Sequence, residues 1–258
     1  MPAVNFDVAA TAYDRFMGRY SSLLSPQMAD LADVLPGQRA LDVGCGPGAL
    51  TSELVARLGA EHVAAVDPSA SFVEAAGERN PGVDVRLASA EMLPFPDDSF
   101  DAAIAQLVVH FMAQPVSGIS EMARVVRPGG VVAACVWDHA GGQGPLGLFW
   151  AVARSLDAEV EDESNLPGVR EGDLVRLLEQ AGLHDVESTV ISADLRLPSF
   201  DAWWEPFTRG VGPAGTYVAR LSADRRTALR ERCRAALPDG AFTLPAHAWA
   251  ARGVVAGR

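Results

Sequence analysis

Residues Leu41–Leu50 read LDVGCGPGAL, and the reading of this stretch decides the fold. A short apolar run holding one acid passes through Gly44, Gly46 and Gly48 into the helix-forming segment ALTSELVARLG. A glycine turn between a strand and a helix lets backbone approach a ligand closely, most often a nucleotide-like one. The spacing Gly-x-Gly-x-Gly is not the Gly-x-Gly-x-x-Gly of a dinucleotide site. Pro47 also removes a backbone N–H from the turn, whereas a pyrophosphate wants several such donors at a helix N-terminus. No Walker A sequence is present. The turn therefore reads as built for close approach without heavy phosphate coordination.

Around this turn the chain alternates. RALDV, HVAAVD, VDVRLAS, FDAAIAQLV and VVAACVW read as strands. ALTSELVARLG, SFVEAAGERN and SGISEMARVVRPGG read as the helices between them. Upstream, SPQMADLADVLPG reads as a helix capped by Ser25, with Pro26 at its first position. Short connections between alternating strands and helices over 38–137 predict a parallel, doubly wound sheet. Beyond Trp137, DHAGGQGPLG reads as a flexible glycine loop and DAEVEDES as a solvated acidic run. REGDLVRLLEQAG, SFDAWWEPFTRG and SADRRTALRERCRAAL read as helices, and DVESTVISADLRL and FTLPAHAWAARGVVA as strands, with Pro245 placing the start of the last at an edge or bend.

Composition narrows the function. At 258 residues the chain suits one large domain or a core with a cap. A net charge of −12 argues against nucleic acid as partner. All 21 cationic residues are Arg, which excludes a Schiff-base or P-loop lysine. Cys45, Cys135 and Cys233 are too sparse and too scattered for a metal or redox motif, and fit a reducing cytoplasm. No secretory leader pattern and no bilayer-length apolar run is read. No metal is expected.

Asp67 ends the second strand, 19 positions after Gly48, where an acid accepts hydrogen bonds from ribose hydroxyls. Taken in order, LDVGCGPG, VAAVDPS, LASAEMLPFPDDSFDAAIAQLVVHF and ARVVRPGGVV resemble the successive motifs of class I S-adenosylmethionine-dependent methyltransferases. They are most similar to the small-molecule group that includes the ubiquinone and menaquinone methyltransferases. The resemblance is strong over 38–137 and weaker beyond. It implies a Rossmann-like α/β fold, with a seven-stranded, mostly parallel sheet, an antiparallel last strand and a helical cap. Residues 1–36 would form the cap, 37–137 the cofactor core, and 138–258 an acceptor-side half of the same domain.

The resemblance also implies roles. Gly44, Cys45 and Gly46 would pass under the methionine part of the cofactor, with Asp42 orienting that loop. Cys45 itself reads as a small packing residue and not a nucleophile. Asp67 would hold the ribose, with Pro68 and Ser69 beside the adenine and Ala90 and Glu91 at its edge. Ser89 stands where many relatives have an Asp that bonds the adenine amino group. Gln106 would meet the methionine amino group through its backbone carbonyl. Arg19 would pair with the cofactor carboxylate, and Tyr13 and Tyr20 would close over the site.

For the chemistry, His110 is the candidate base, just past the fourth strand at the carboxyl edge where ligands bind. His139 and His247 read better as loop and strand residues. Trp203 and Trp204, with Phe207, would form an apolar lid, the alternative being a helix packing its aromatic face on the sheet. The arginines of 225–234 read as a solvated face. In the superfamily the chain resembles, a DPPY- or NPPF-like tetrapeptide after the fourth strand marks amino-group methylation; AQLVVHF stands there instead, which with the acidic charge points to a small molecule methylated at carbon or oxygen. The rivals are a nicotinamide-dependent oxidoreductase and a non-catalytic S-adenosylmethionine-binding module. The oligomeric state stays open.

Overall fold

A computed structural model describes residues 13–257, so the first twelve residues of the expected cap lie outside the described residues. Seven strands form one sheet: β1 (Ala40–Val43), β2 (Val63–Asp67), β3 (Asp84–Leu87), β4 (Phe100–Gln106), β5 (Val126–Trp137), β6 (Leu183–Leu197) and β7 (Phe242–Val255). Their order is β3-β2-β1-β4-β5-β7-β6. β1 to β5 pair in parallel, and β7 runs antiparallel to both β5 and β6. The expected mostly parallel sheet with an antiparallel last strand is what forms. Strand order reverses between β1 and β4, and the crevice outside their carboxyl ends is where such sheets take ligands.

Side-chain alternation explains the two layers. In β5, Val132, Ala134 and Val136 enter one apolar cluster, while Val131, Ala133, Cys135 and Trp137 enter the other. That two-sided burial is why the strand reads as a continuous apolar run. α1 (Arg19–Leu31) and α2 (Ala49–Leu58) supply Leu24, Met28 and Leu54 to the second cluster. α3 (Ala70–Arg79) packs beside β2 and β3. α4 (Pro115–Val125) and α6 (Asp173–Gln180) supply Ile119, Met122, Leu174 and Leu178 to the first cluster. Between α4 and α6 comes α5 (Gly147–Leu156), which is not among the helices expected from the sequence. Between β6 and β7 stand α7 (Phe200–Trp204), α8 (Gly212–Arg220) and α9 (Ala223–Ala235), of which α8 is likewise not expected from the sequence. α5 and this excursion share a third, aromatic-rich cluster.

Two boundaries differ from expectation. α1 does not start at Ser25: it begins at Arg19, after a π-helical turn over Asp14–Gly18, and runs through Pro26. Ser25 is buried, and its hydroxyl donates to the Ser21 carbonyl one turn back, a mid-helix use of serine and not a cap. α4 ends at Val125 rather than at the glycines, because Pro128 cannot continue a helix, and the chain is already extended from Val126. Pro245 fits the reading: it lies in the part of β7 that pairs with β6 alone, beyond the pairing with β5 that starts at Ala248.

Candidate active site

The glycine turn joins β1 to α2 at the switch point. Gly44, Gly46 and Gly48 all have positive φ (72°, 53° and 90°), which only glycine adopts without strain. A Cβ on Gly44 would stand 2.5 Å from the Val108 side chain. The turn's amides are committed internally. Gly44 and Cys45 N–H donate to the Val66 carbonyl at 2.8 and 2.9 Å, and Gly48 N–H donates to the Cys45 carbonyl at 3.0 Å. Gly46 N–H donates to Asp67 Oδ2 at 2.9 Å. With Pro47 lacking an N–H, the turn has no amide left to coordinate a phosphate.

Asp67, buried at the end of β2, also accepts the Ser69 N–H through Oδ1 at 2.8 Å. A carboxylate offers about four lone-pair positions. Two are taken by backbone, so two remain for a pair of hydroxyls. The residues therefore fit a phosphate-free nucleoside. Burial raises the Asp67 pKa, against the lowering effect of those two amides. Asp42 is buried and accepts the Thr51 hydroxyl at 2.6 Å, which ties β1 to the first turn of α2 across the loop. Burial pushes its carboxyl up to about 7. Cys45 is buried, and its thiol is held well above its ordinary pKa by burial and by Asp42 and Asp67, so it stays protonated.

The other expected cofactor residues spread around this turn. Ser69 precedes α3 and shares a 3.0 Å hydrogen bond with the Ser71 hydroxyl, while Pro68 is exposed. Ala90 is buried in the first cluster, Ser89 is half-buried, and Glu91 accepts the Gln114 N–H at 3.2 Å ahead of α4. The Gln106 side chain turns to the cap, donating to the Ser21 carbonyl at 3.1 Å and the Ser25 hydroxyl at 3.3 Å. Arg19 lines a polar cleft with Ser22 and with Ala49 and Ser52 at the start of α2; its Nη1 donates to the Ala202 carbonyl at 3.5 Å, and its buried Nε has no partner.

A second, mostly apolar cavity opens beside the turn, with an empty volume of about 490 Å³ including solvent at its mouth. Tyr13 joins the two: it lines the cavity, and its ring would lie 3.9 Å from a Cβ on Gly46. His110 and His139, from the ends of β4 and β5, face each other with ring centroids 5.7 Å apart. Leu107 turns the chain there with a left-handed φ of 64°, a conformation that costs a leucine roughly 1–3 kcal/mol. Burial holds His110 well below its usual pKa and takes His139 down to about 4, so both are neutral at pH 7. His110 Nδ1 is buried without a partner.

Some expected acceptor residues are elsewhere. Tyr20 packs edge-on against Trp137 at 5.8 Å beneath the cavity, and Trp203 and Trp204 are buried with Phe200 and Phe207 in the third cluster. None of the three lines the cavity, and His247 sits half-buried in β7. The arginine helix α9 is paired at its surface, as in Arg230 to Asp201 at 2.6 Å. Residues not anticipated complete the wall: Phe16, Trp137, Leu146, Glu163 and the start of α8 from Gly212 to Ala214. Glu163 is the largest departure, because the acidic run read as solvated turns it inward to 3% exposure. Among the described residues no cluster of side chains could hold a metal ion, and no helix is long and apolar enough to cross a membrane.

Comparison with known proteins gives the same family. Residues 41–134 match the methyltransferase domain model. A demethylmenaquinone methyltransferase of Renibacterium salmoninarum is 35% identical over 112 residues, 43% of this chain and 46% of the relative. An uncharacterised methyltransferase of Mycobacterium tuberculosis H37Rv is 32% identical over 174 residues, 67% of this chain and 63% of the relative. The chain thus spans less than two thirds of these curated relatives. A Thermotoga maritima structure described as a SAM-dependent methyltransferase, possible histamine N-methyltransferase, superposes with a TM-score of 0.58 at 20% identity, covering 97% of this chain and 98% of its own. Motifs, sheet order and family match agree, and residues 41–134 are the methyltransferase domain of the class I, S-adenosylmethionine-dependent family.

Proposed function

We propose that the protein transfers a methyl group from S-adenosylmethionine to carbon or oxygen of a small, largely apolar acceptor held in the cavity beside the glycine turn. The observation that carries this reading is the juxtaposition at Tyr13. A turn with no free amide for phosphate and an acid with two open lone-pair positions stand on one side, and an apolar cavity with a neutral histidine on the other.

When bound, the cofactor supplies an electrophilic methyl on a sulfonium. Asp67 holds the ribose, Gly44 to Gly46 let the methionine part pass close to the backbone, and Asp42 fixes the loop through Thr51. Arg19 pairs with the cofactor carboxylate, and Ala90 and Glu91 flank the adenine. His110 accepts the proton that the acceptor gives up, at the Nδ1 that has no partner within the fold. Holding donor and acceptor together is worth up to ~7–11 kcal/mol, and a base adds typically ~10²–10⁴-fold.

Calorimetric titration with S-adenosylmethionine, S-adenosylhomocysteine and NAD(H) in parallel tests the reading. Micromolar binding of the two sulfur compounds and none of NAD(H) supports it. Binding of NAD(H) alone, or of nothing, overturns it.

A further inference from the structure

Resting on the methyl-transfer reading, we propose that Glu163 anchors the acceptor and selects one carrying a protonated amine separate from its methyl-accepting atom. Glu163 opens a short turn, Glu163–Asn165, in the wall of the cavity. Its neighbour Asp162 accepts the Ser164 N–H at 2.9 Å and pairs with Arg154. Asp162 is thereby satisfied on its own side of the turn. Glu163 is not: its Oε2 is buried without a hydrogen-bond partner. The Trp150 indole approaches the carboxyl, but its Nε1 makes no hydrogen bond of normal geometry.

Among the described residues, no cation serves this carboxyl. The titratable groups of the cavity wall among the described residues are Tyr13, His110, His139 and Glu163; none is an arginine, and the chain has no lysine. Both histidines are neutral at pH 7, and burial keeps the Tyr13 phenol protonated, with its pKa up to about 12. Burying an unpaired carboxyl in an apolar wall is costly, and an apolar residue there would serve stability better. A ligand that brings the missing partner resolves the conflict. A hydroxyl would bring one hydrogen bond. An ammonium brings the hydrogen bond and the opposite charge. The aromatic residues Tyr13, Phe16, Phe111 and Trp137 line the same cavity, and aromatic rings attract a cation. An anionic acceptor finds no positive group in the wall. The ammonium cannot itself take the methyl, because its lone pair holds the proton, so the accepting atom lies elsewhere, within reach of His110.

The test is calorimetry on the full chain saturated with S-adenosylhomocysteine, with 2-phenylethylamine and 2-phenylethanol as matched probes. The wild type is expected to bind the amine about tenfold or more tighter than the alcohol. The amine's affinity should rise about tenfold from pH 6 to pH 8, as a carboxyl of pKa about 7 ionises. Glu163→Gln, isosteric with the protonated acid, should bring the amine-to-alcohol ratio to about one, with S-adenosylhomocysteine affinity unchanged. Equal binding of the two probes by the wild type, binding of neither, or an amine preference that survives in Glu163→Gln overturns the proposal. Failure of the methyl-transfer reading shows separately, as absence of S-adenosylhomocysteine binding.

Discussion

The side-chain amide of Gln106, at the end of β4, donates to the backbone carbonyl of Ser21 in α1 at 3.1 Å. A second bond reaches the Ser25 hydroxyl at 3.3 Å. At the carboxyl edge of the sheet, one side chain thus adds two hydrogen bonds to the apolar packing that holds α1. Gln106→Met should remove both bonds at similar volume. The expected result is a several-fold faster release of S-adenosylhomocysteine in stopped-flow, with a loss of stability of about 1–3 kcal/mol. An unchanged release rate would mean that other contacts hold the cap.

Asp67→Ala should weaken S-adenosylmethionine binding at least about tenfold, since hydrogen bonds to a charged group contribute roughly 1.5–3 kcal/mol each. Asp67→Asn keeps an acceptor for only one of the two loop amides, which use different oxygens, and loses the charge; it should fall between wild type and Asp67→Ala. Calorimetry on the three proteins gives the order. Equal affinities would remove Asp67 from the ribose role.

His110→Ala should lower kcat by roughly 10²–10⁴-fold and leave S-adenosylhomocysteine affinity unchanged. Burial holds the histidine pKa well below 6.5, so wild-type kcat should not decline as pH drops from 7 to 6 through protonation of this ring. A full kcat on the true acceptor after substitution would make His110 a wall residue only.

Stability should depend on pH through buried groups of opposite sign. Glu163, at about 7 in the fold and near 4.5 when unfolded, holds its proton more tightly in the native state. It therefore disfavours folding increasingly as pH rises across that window. Asp42 acts in the same direction. His139, at about 4 in the fold against 6.5 unfolded, acts oppositely: its contribution is present above 6.5 and is lost as pH falls towards 4. Glu163→Gln removes one acidic contribution. Its melting temperature relative to wild type should rise between pH 5 and pH 8, towards a stability gain of up to roughly 3 kcal/mol. The same difference at both pH values would sink the assignment.

Trp203→Ala should cost about 3–5 kcal/mol of stability, as truncation of a buried aromatic does, because Trp203 packs against Phe207 at a centroid distance of 4.9 Å. Measured below its lowered melting temperature, the variant should keep the wild-type KM for the acceptor. A raised KM would return Trp203 to substrate contact.

The parts of the site that were legible in the sequence are those made by neighbours in the chain. The glycine turn, Asp67 at the end of β2 and His110 past β4 are each fixed by a strand ending at one edge of the sheet. That edge follows from the alternation of strands and helices. The cavity's far wall is assembled from segments that meet only in three dimensions: Phe16, Trp137, Glu163 and the start of α8. No local period marks such a meeting. Glu163 sits among acids that are mostly solvated, so composition pointed outward while the turn at Asp162 points it inward. Trp203 and Trp204 had the opposite fate: aromatic surface that looked like a lid is largely spent on packing the C-terminal helices together.

The excursion between β6 and β7 leaves the sheet at Leu197 and returns at Phe242, and these two residues are paired across the ladder. Its two ends are therefore held about 5 Å apart by the strands themselves, whatever lies between. The segment behaves as an exchangeable cassette. A chain in which 198–241 is replaced by the corresponding stretch of a relative should keep its sheet register, and would inherit that relative's version of the wall at Gly212–Ala214. Diversification of such a family can then proceed by trading cassettes at a fixed pair of anchor points, while the edge that handles the methyl donor stays untouched.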